Sequence, residues 1–283
     1  MILLKKAVLC LILAGCLALL SSCFEWLPWG TDSGEVTVKE TTILDENGIR
    51  AVVKGYGKYK SELLGLDRVL LIDVTNGSER TVSFGLGNAS VNGVMTDAQY
   101  YLAVMPGETV AFPAVFDEAP LEFFGVTTIA DYEFCVVIED AETFETILET
   151  DPIQIKTSAY EGFDYSFDDT GTVLYDEGGV KIIAKGTDTS EYLGPVVNLC
   201  VINSSGRNLD FSVAEGSVNG QEVEMYGGSL IRSGKRLFSR LSFEEGSQPD
   251  RVETLTVSFT FYDWDTGEQV VEKTEQATVT FSS

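Results

Sequence analysis

The chain has 283 residues, 44% of them hydrophobic, which excludes wholesale disorder and suits about two domains. With 19 basic against 44 acidic residues the formal net charge is −25, so nucleic acid is not an expected partner: phosphate binding needs a basic face. Histidine is absent, which removes Ser-His-Asp and Cys-His catalysis, His-ligated zinc and histidine pH switching together.

At the start, Lys5 and Lys6 precede the apolar run Ala7–Leu20. The run is short for a spanning helix and no stop-transfer pattern follows, so residues 1–22 read as a secretory signal peptide. Leu20-Ser21-Ser22-Cys23 resembles the lipobox of bacterial lipoproteins. That resemblance implies that Cys23 is lipidated and becomes the mature N-terminus. Leu13-Ala14-Gly15-Cys16 lies closer to the lipobox consensus, but Cys16 would leave the apolar Leu17–Leu20 on the mature end, so Cys23 is the preferred lipidation site. Acyl chains there would hold the protein on the outer face of the bacterial cytoplasmic membrane. Residues 23–34 then form a tether. Its Trp26 and Trp29 suit the headgroup region, or packing on the domain that follows.

From residue 35 the chain repeats. Asn76–Gly93 and Asn203–Gly220 both end in Ser-Val-Asn-Gly and carry Phe84 and Phe211 at the same place, a shift of 127. Upstream, Asp45-Glu46-Asn47-Gly48 pairs with Asp176-Glu177-Gly178-Gly179, between β-rich apolar runs. Asn-Gly and Gly-Gly at such places predict tight hairpins, because both central residues must take positive φ. Leu70, Ile72 and Val74 alternate as Val197, Leu199 and Val201 do, and Asn76 and Asn203 close that strand. Turns at Asn92-Gly93 and Asn219-Gly220 follow, then a second turn at Gly107 and Gly234. The last long strand places Tyr132, Phe134, Val136 and Ile138 on one face, matched by Leu255, Val257, Phe259 and Phe261. The shift changes only at loops. Ser61–Gly65 could form at most one helical turn. The pattern predicts an all-β chain of two tandem immunoglobulin-like β-sandwiches, 35–157 and 167–283, joined by a linker at 158–166; a closed barrel is the alternative for each.

The order Lys-Gly, Val-Thr-Asn-Gly-Ser, Ser-Val-Asn-Gly and Pro-Gly-Glu-Thr, ending in Asp151–Thr157, resembles the uncharacterised extracellular immunoglobulin-like or telokin-like domains of Gram-positive lipoproteins. The resemblance rests on turns and core positions and implies fold and location. It transfers no active site.

Chemistry is sparse. Beyond Cys23 the mature chain holds Cys135 and Cys200, one per repeat and off the inferred core faces, so free thiols are expected. Asp263–Glu268 has the look of an Asp-x-Asp-x-Gly calcium loop, but the twelfth position is Thr274 rather than Glu and no helix flanks it, so a hairpin turn is expected. Asp168-Asp169 and Glu244-Glu245 read as acidic loops. Asp151, Glu161 and Asp164 are the nearest acids to the domain junction, where a calcium-dependent adhesion module would need them. Tyr100-Tyr101 and Tyr56/Tyr59 could meet carbohydrate or protein, or be partly buried. No Gly-x-Ser-x-Gly elbow or phosphate-cradling loop occurs, and no catalytic, metal or cofactor residues emerge. The expectation is a membrane-tethered binding or adhesion protein for a protein or glycan ligand, using end loops such as Leu86–Ala89 or Asp263–Glu268, or a strand edge. An accessory subunit of an envelope transporter or hydrolase complex, or a carboxylate-dependent hydrolase, is the alternative.

Overall fold

In a computed structural model of the chain, residues 36–61, 65–99, 101–190, 192–246 and 248–281 are described. The signal peptide, Cys16, Cys23 and the tether lie outside them, as does Tyr100. No helix of the described residues is long and apolar enough to cross a membrane.

The first repeat runs β1 (Thr41–Glu46), β2 (Ile49–Ser61), β3 (Gly65–Asn76), β4 (Val82–Val91), β5 (Val94–Met95), β6 (Ala98–Gln99), β7 (Tyr101–Val104), β8 (Thr109–Phe116), helix α1 (Glu118–Phe123), β9 (Asp131–Asp140), β10 (Thr146–Glu149) and β11 (Ile153–Lys156). The second runs β12 (Thr172–Glu177), β13 (Val180–Ser190), β14 (Gly194–Asn203), β15 (Leu209–Val218), β16 (Gln221–Glu222), β17 (Met225–Tyr226), β18 (Gly228–Ile231), β19 (Arg236–Phe243), β20 (Thr254–Asp263), β21 (Gln269–Val271) and β22 (Ala277–Thr280). In the first repeat the order β1-β2-β3-β8-β6 makes one open sheet; β4 and β9, flanked by β7, β10 and β11, make the other. The second repeat reproduces both halves, β12-β13-β14-β19 and β15-β20 with their short flanking strands. Open edges on these sheets exclude the barrel.

Each repeat has its own core. The alternation along β9 buries Tyr132, Phe134, Val136 and Ile138 against Phe84, Ile72 and Phe112, with Phe84 and Phe112 meeting edge to face at 5.0 Å. Along β20 it buries Leu255, Val257, Phe259 and Phe261 against Phe211, Leu199 and Val201. The hairpins form as the turn residues require: Asn47 and Gly48 have φ of 53° and 78°, Asn92 and Gly93 of 50° and 75°, and Gly178 and Gly179 of 61° and 81°.

The asparagines do more than end strands. Asn76, fully buried, donates Nδ2–H to the carbonyls of Arg80 and Val104, and its Oδ1 accepts from the N–H and hydroxyl of Ser78. Asn203 makes the same four bonds with Arg207, Ile231 and Ser205. Asn92 reaches Thr128, Ala130 and Asp131, and Asn219 reaches Arg251, Glu253 and Thr254. One side chain thus satisfies the buried backbone of two loops at once, which an apolar residue could not do.

Three details differ from the sequence reading. Leu86–Ala89 is not an end loop: it lies within β4, with Leu86 and Ala89 buried and a register shift between Gly87 and Ser90 that absorbs Asn88 at φ 54°. Ser61 and Gly65 are strand residues rather than parts of a helical turn; residues 62–64 lie outside the described set. Helix α1 was not anticipated. It is one short segment begun by Asp117, whose carboxylate accepts from the N–H of Ala119.

The repeats share structure. The Gly93 carbonyl accepts from the N–H of Arg236, and β5 pairs with β19 in parallel, so the strands of both repeats run into one eleven-stranded sheet. Phe123 of α1 stacks on Phe238 of β19 at 4.3 Å, and Lys235 meets Glu133 at 2.7 Å. Met95 packs on the second core and Phe167 on the first. Cys135 and Cys200 are free thiols, as expected, but the faces they occupy are buried. Burial first, then Asp169, pushes the Cys200 thiol up to about 11.

Candidate functional site

The site begins with two glycines. In β4 the residues Val82, Phe84 and Leu86 turn into the core, so Ser83, Gly85 and Gly87 face outward. Glycine inside a strand weakens it and marks places where another group comes close. Here that group is Tyr101. It pairs with Gly85 from the edge strand β7, and its ring lies so near that a Cβ on Gly85 would stand 2.5 Å from Cε1. On the other side of Gly85 is Val137 of β9, and beyond it Glu149 of β10. Tyr101, Gly85, Val137 and Glu149 therefore form one row across four strands. Val137 leans over Gly87, where an added Cβ would meet its Cγ2 at 3.1 Å. The next row along holds Ala103, Ser83, Glu139 and Thr146.

The result is a shallow platform with a tyrosine ring lying across it. Tyr101 is 52% exposed, although it is laid on the sheet. Its hydroxyl is raised above the ordinary tyrosine value, by burial first and then by the charges of Glu139 and Glu149. Both carboxylates therefore act on the phenol. Among the described residues no basic side chain pairs with either; Glu149 Oε1 accepts only from the Asn88 amide, at 3.3 Å. The lower end of the face is closed by the second repeat, where Arg232 reaches Cys135 Sγ at 3.7 Å.

The second repeat is an internal control. There Ser212 and Gly228 stand for Gly85 and Tyr101, and Ala214 for Gly87. The Thr150 hydroxyl accepts from Val136 N–H and the Thr274 hydroxyl from Phe259 N–H, so Glu149 corresponds to Lys273. Lys273 then neutralises Glu215, the counterpart of Asn88, at 3.0 Å. The same cross-strand contact is a closed ion pair in one repeat and carries net negative charge in the other.

Most other residues singled out from sequence fall elsewhere. Asp263–Glu268 is a hairpin turn: the Asp263 carboxylate accepts from Asp265 N–H and Thr266 N–H, and Arg207 approaches at 3.7 Å. Those hydrogen bonds hold its carboxyl below the ordinary range, and the same arrangement around Asp140 does likewise. Thr274 clamps β20 and has no part in a metal loop. Asp168 and Asp169 are engaged rather than idle: hydrogen bonds from Thr170 first, and then from Lys185 at 3.2 Å, lower the Asp168 carboxyl to about 2, and Asp169 faces Arg236 at 3.8 Å. Asp164 is satisfied by Ser166, and among the described residues no group of three or more potential ligands is placed to hold a metal. Glu244 and Glu245 lie in the exposed turn after β19. Tyr56 is buried in the first core rather than placed for a ligand, and the side chain of Tyr59 lies outside the described set. Of the expected aromatics among the described residues, Tyr101 alone reaches the platform, and Gly87 and Asn88 fall within the expected Leu86–Ala89 segment; Gly85, Glu139 and Glu149 were missed. The available signal was the repeat itself, in which Gly85 and Gly87 replace larger residues of the second copy.

No family model and no curated protein matches the chain. Among solved structures it is similar to the exo-chitosanase CsxA of Amycolatopsis orientalis, at 13% identity and a TM-score of 0.22, covering 80% of this chain and 26% of that one. A complex of the same enzyme with PNP-beta-D-glucosamine gives 14% identity with the same TM-score and coverage. The chain thus spans about a quarter of that enzyme's length, 26%. At this TM-score the likeness supports neither a shared fold nor a shared activity.

Proposed function

We propose that the protein is a lipid-anchored extracellular binding protein that works without catalysis, anchored through Cys23 and engaging a protein or glycan ligand at the Tyr101 platform. One observation carries this reading: a half-exposed tyrosine rests on the strand glycine Gly85, on a sheet face it shares with two carboxylates that no described basic residue neutralises. A tyrosine offers a large apolar ring with a polar tip, a combination enriched where proteins recognise partners. The rigid sheet also lowers the ordering cost of binding.

Catalysis would need convergent titratable groups in a water-excluding cleft. The carboxylates of the platform lie on an open sheet face, and the perturbed acids Asp140, Asp168 and Asp263 serve turns and ion pairs. The anchor rests on the lipobox at Cys23.

Two experiments test the reading. Mass spectrometry of the mature N-terminus is expected to find an acylated Cys23; an acylated Cys16 or an unmodified Cys23 would overturn the anchor. The full chain, screened against cell-wall glycans, host proteins and hydrolase substrates, is expected to bind without turnover, with binding lost in Tyr101→Ala. Turnover abolished by a single carboxylate change in a folded variant would overturn the binding-only assignment.

A further inference from the structure

We infer that the Tyr101 platform takes a cationic side chain, an arginine or lysine presented by a basic polypeptide segment. This deepens the proposed binding function and rests on it. The argument is one of shape and charge together. Tyr101 has one ring face against the Gly85 backbone, so the opposite face is left for a ligand. An aromatic face attracts a cation through its quadrupole, and the attraction grows as the pair is desolvated. Glu149 stands in the same cross-strand row as Tyr101 and Glu139 in the next, both on the outward face, and their charges reach the phenol, so acceptors for the N–H groups of a guanidinium or ammonium share the face with the ring. Arginine fits best, since its planar fork can stack on the ring and donate to a carboxylate at the same time.

A sugar would also stack on a tyrosine, but the charge pattern favours the cation. A neutral glycan gains nothing from two uncompensated carboxylates on the same sheet face. The second repeat indicates that the fold can close this position with an ion pair, Glu215 with Lys273, and the first repeat presents Asn88 and Glu149 instead. Arg232 is held at Cys135 on one border and Arg80 at Asp140 on the other, and neither pairs with Glu139 or Glu149. A chain of net charge −25 would also draw a basic segment in from a distance.

The test is a calorimetric titration of the full chain with an arginine hexapeptide, a lysine hexapeptide, spermidine and a neutral cell-wall oligosaccharide, at low and high salt. The arginine peptide is expected to bind most tightly and to weaken with salt. Tyr101→Ala should weaken it about tenfold while Tyr101→Phe retains it. Glu139→Gln and Glu149→Gln should each weaken it several-fold, whereas Glu245→Gln, which removes the same charge from a remote turn, should not. Equal losses in Glu139→Gln and Glu245→Gln, or peptide binding unchanged in Tyr101→Ala, would reduce the effect to general acidity and overturn the inference. Spermidine binding as tightly as the peptides would overturn the polypeptide source. A neutral oligosaccharide that binds in a Tyr101-dependent, salt-insensitive way would overturn the cation and leave the binding function standing. Indifference of every probe to Tyr101→Ala would remove both.

Discussion

Phe144 and Gly267 occupy the same position in two copies of one turn. Both have positive φ, 60° and 71°, and both donate N–H to the carbonyl of the aspartate that opens the turn, Asp140 or Asp263. Glycine takes that conformation freely, whereas a phenylalanine there carries a steric penalty of about 1 kcal/mol. Phe144 is also 77% exposed, so it gains little from packing. Phe144→Gly is expected to raise stability by about 1 kcal/mol in urea unfolding; a loss of stability would mean that the ring has a structural role. The two aspartates make a pH statement. Their folded carboxyls titrate below the ordinary value, chiefly through backbone N–H donors at Glu142 and Thr266. Each therefore contributes stability that is full above the unfolded pKa of about 4 and is lost as pH falls through the lower folded value. Asp263→Asn should flatten the acid limb of the stability curve, and an unchanged acid limb would contradict the assignment.

At the scale of strands, glycines separate two kinds of close approach. A Cβ on Gly85 would meet the far end of the Tyr101 side chain, which can swing away. One on Gly228, at φ 148°, would strike the backbone carbonyl of Phe211, which is fixed in the β15–β18 ladder. Gly228→Ala is thus expected to destabilise the fold by about 2–3 kcal/mol, while Gly85→Ala should cost less in stability and show its main effect on binding. Equal stability losses in the two variants would contradict the platform as a surface feature. This contrast also marks what could be read from the sequence. Hairpins, core faces and the repeat were legible, because Asn-Gly turns and period-two alternation are local signals: Asn92-Gly93 and Tyr132–Ile138 fold as written. The platform was not, because it depends on register. The pairing of Tyr101 with Gly85 is set by an edge strand of only four residues. Leu86–Ala89 read as a loop because Gly-x-Gly-Asn lacks β-forming side chains on one face, yet buried Leu86 and Ala89 hold it in the sheet. The conspicuous acidic turn at Asp263–Glu268 proved to be Asp263 capping its own hairpin.

Across the whole molecule, the two repeats keep separate cores and share a sheet, a stacked Phe123–Phe238 pair and the Lys235–Glu133 contact. The junction places one outward face of the first repeat beside the second, with Arg232 at its border and Tyr101 above it. Duplication supplied two scaffolds, and the glycines, the tyrosine and the uncompensated Glu149 distinguish one from the other. The central claim is that recognition belongs to this face of the first repeat alone. Tyr262 is the natural control: it stands at the place of Glu139 in the second repeat and is 39% exposed. The direct measurement is tyrosine nitration of the full chain, mapped by peptide mass spectrometry with and without saturating arginine hexapeptide. Protection of Tyr101 with Tyr262 unchanged is the expected result, and equal protection of both, or protection of Tyr262 alone, would contradict the claim.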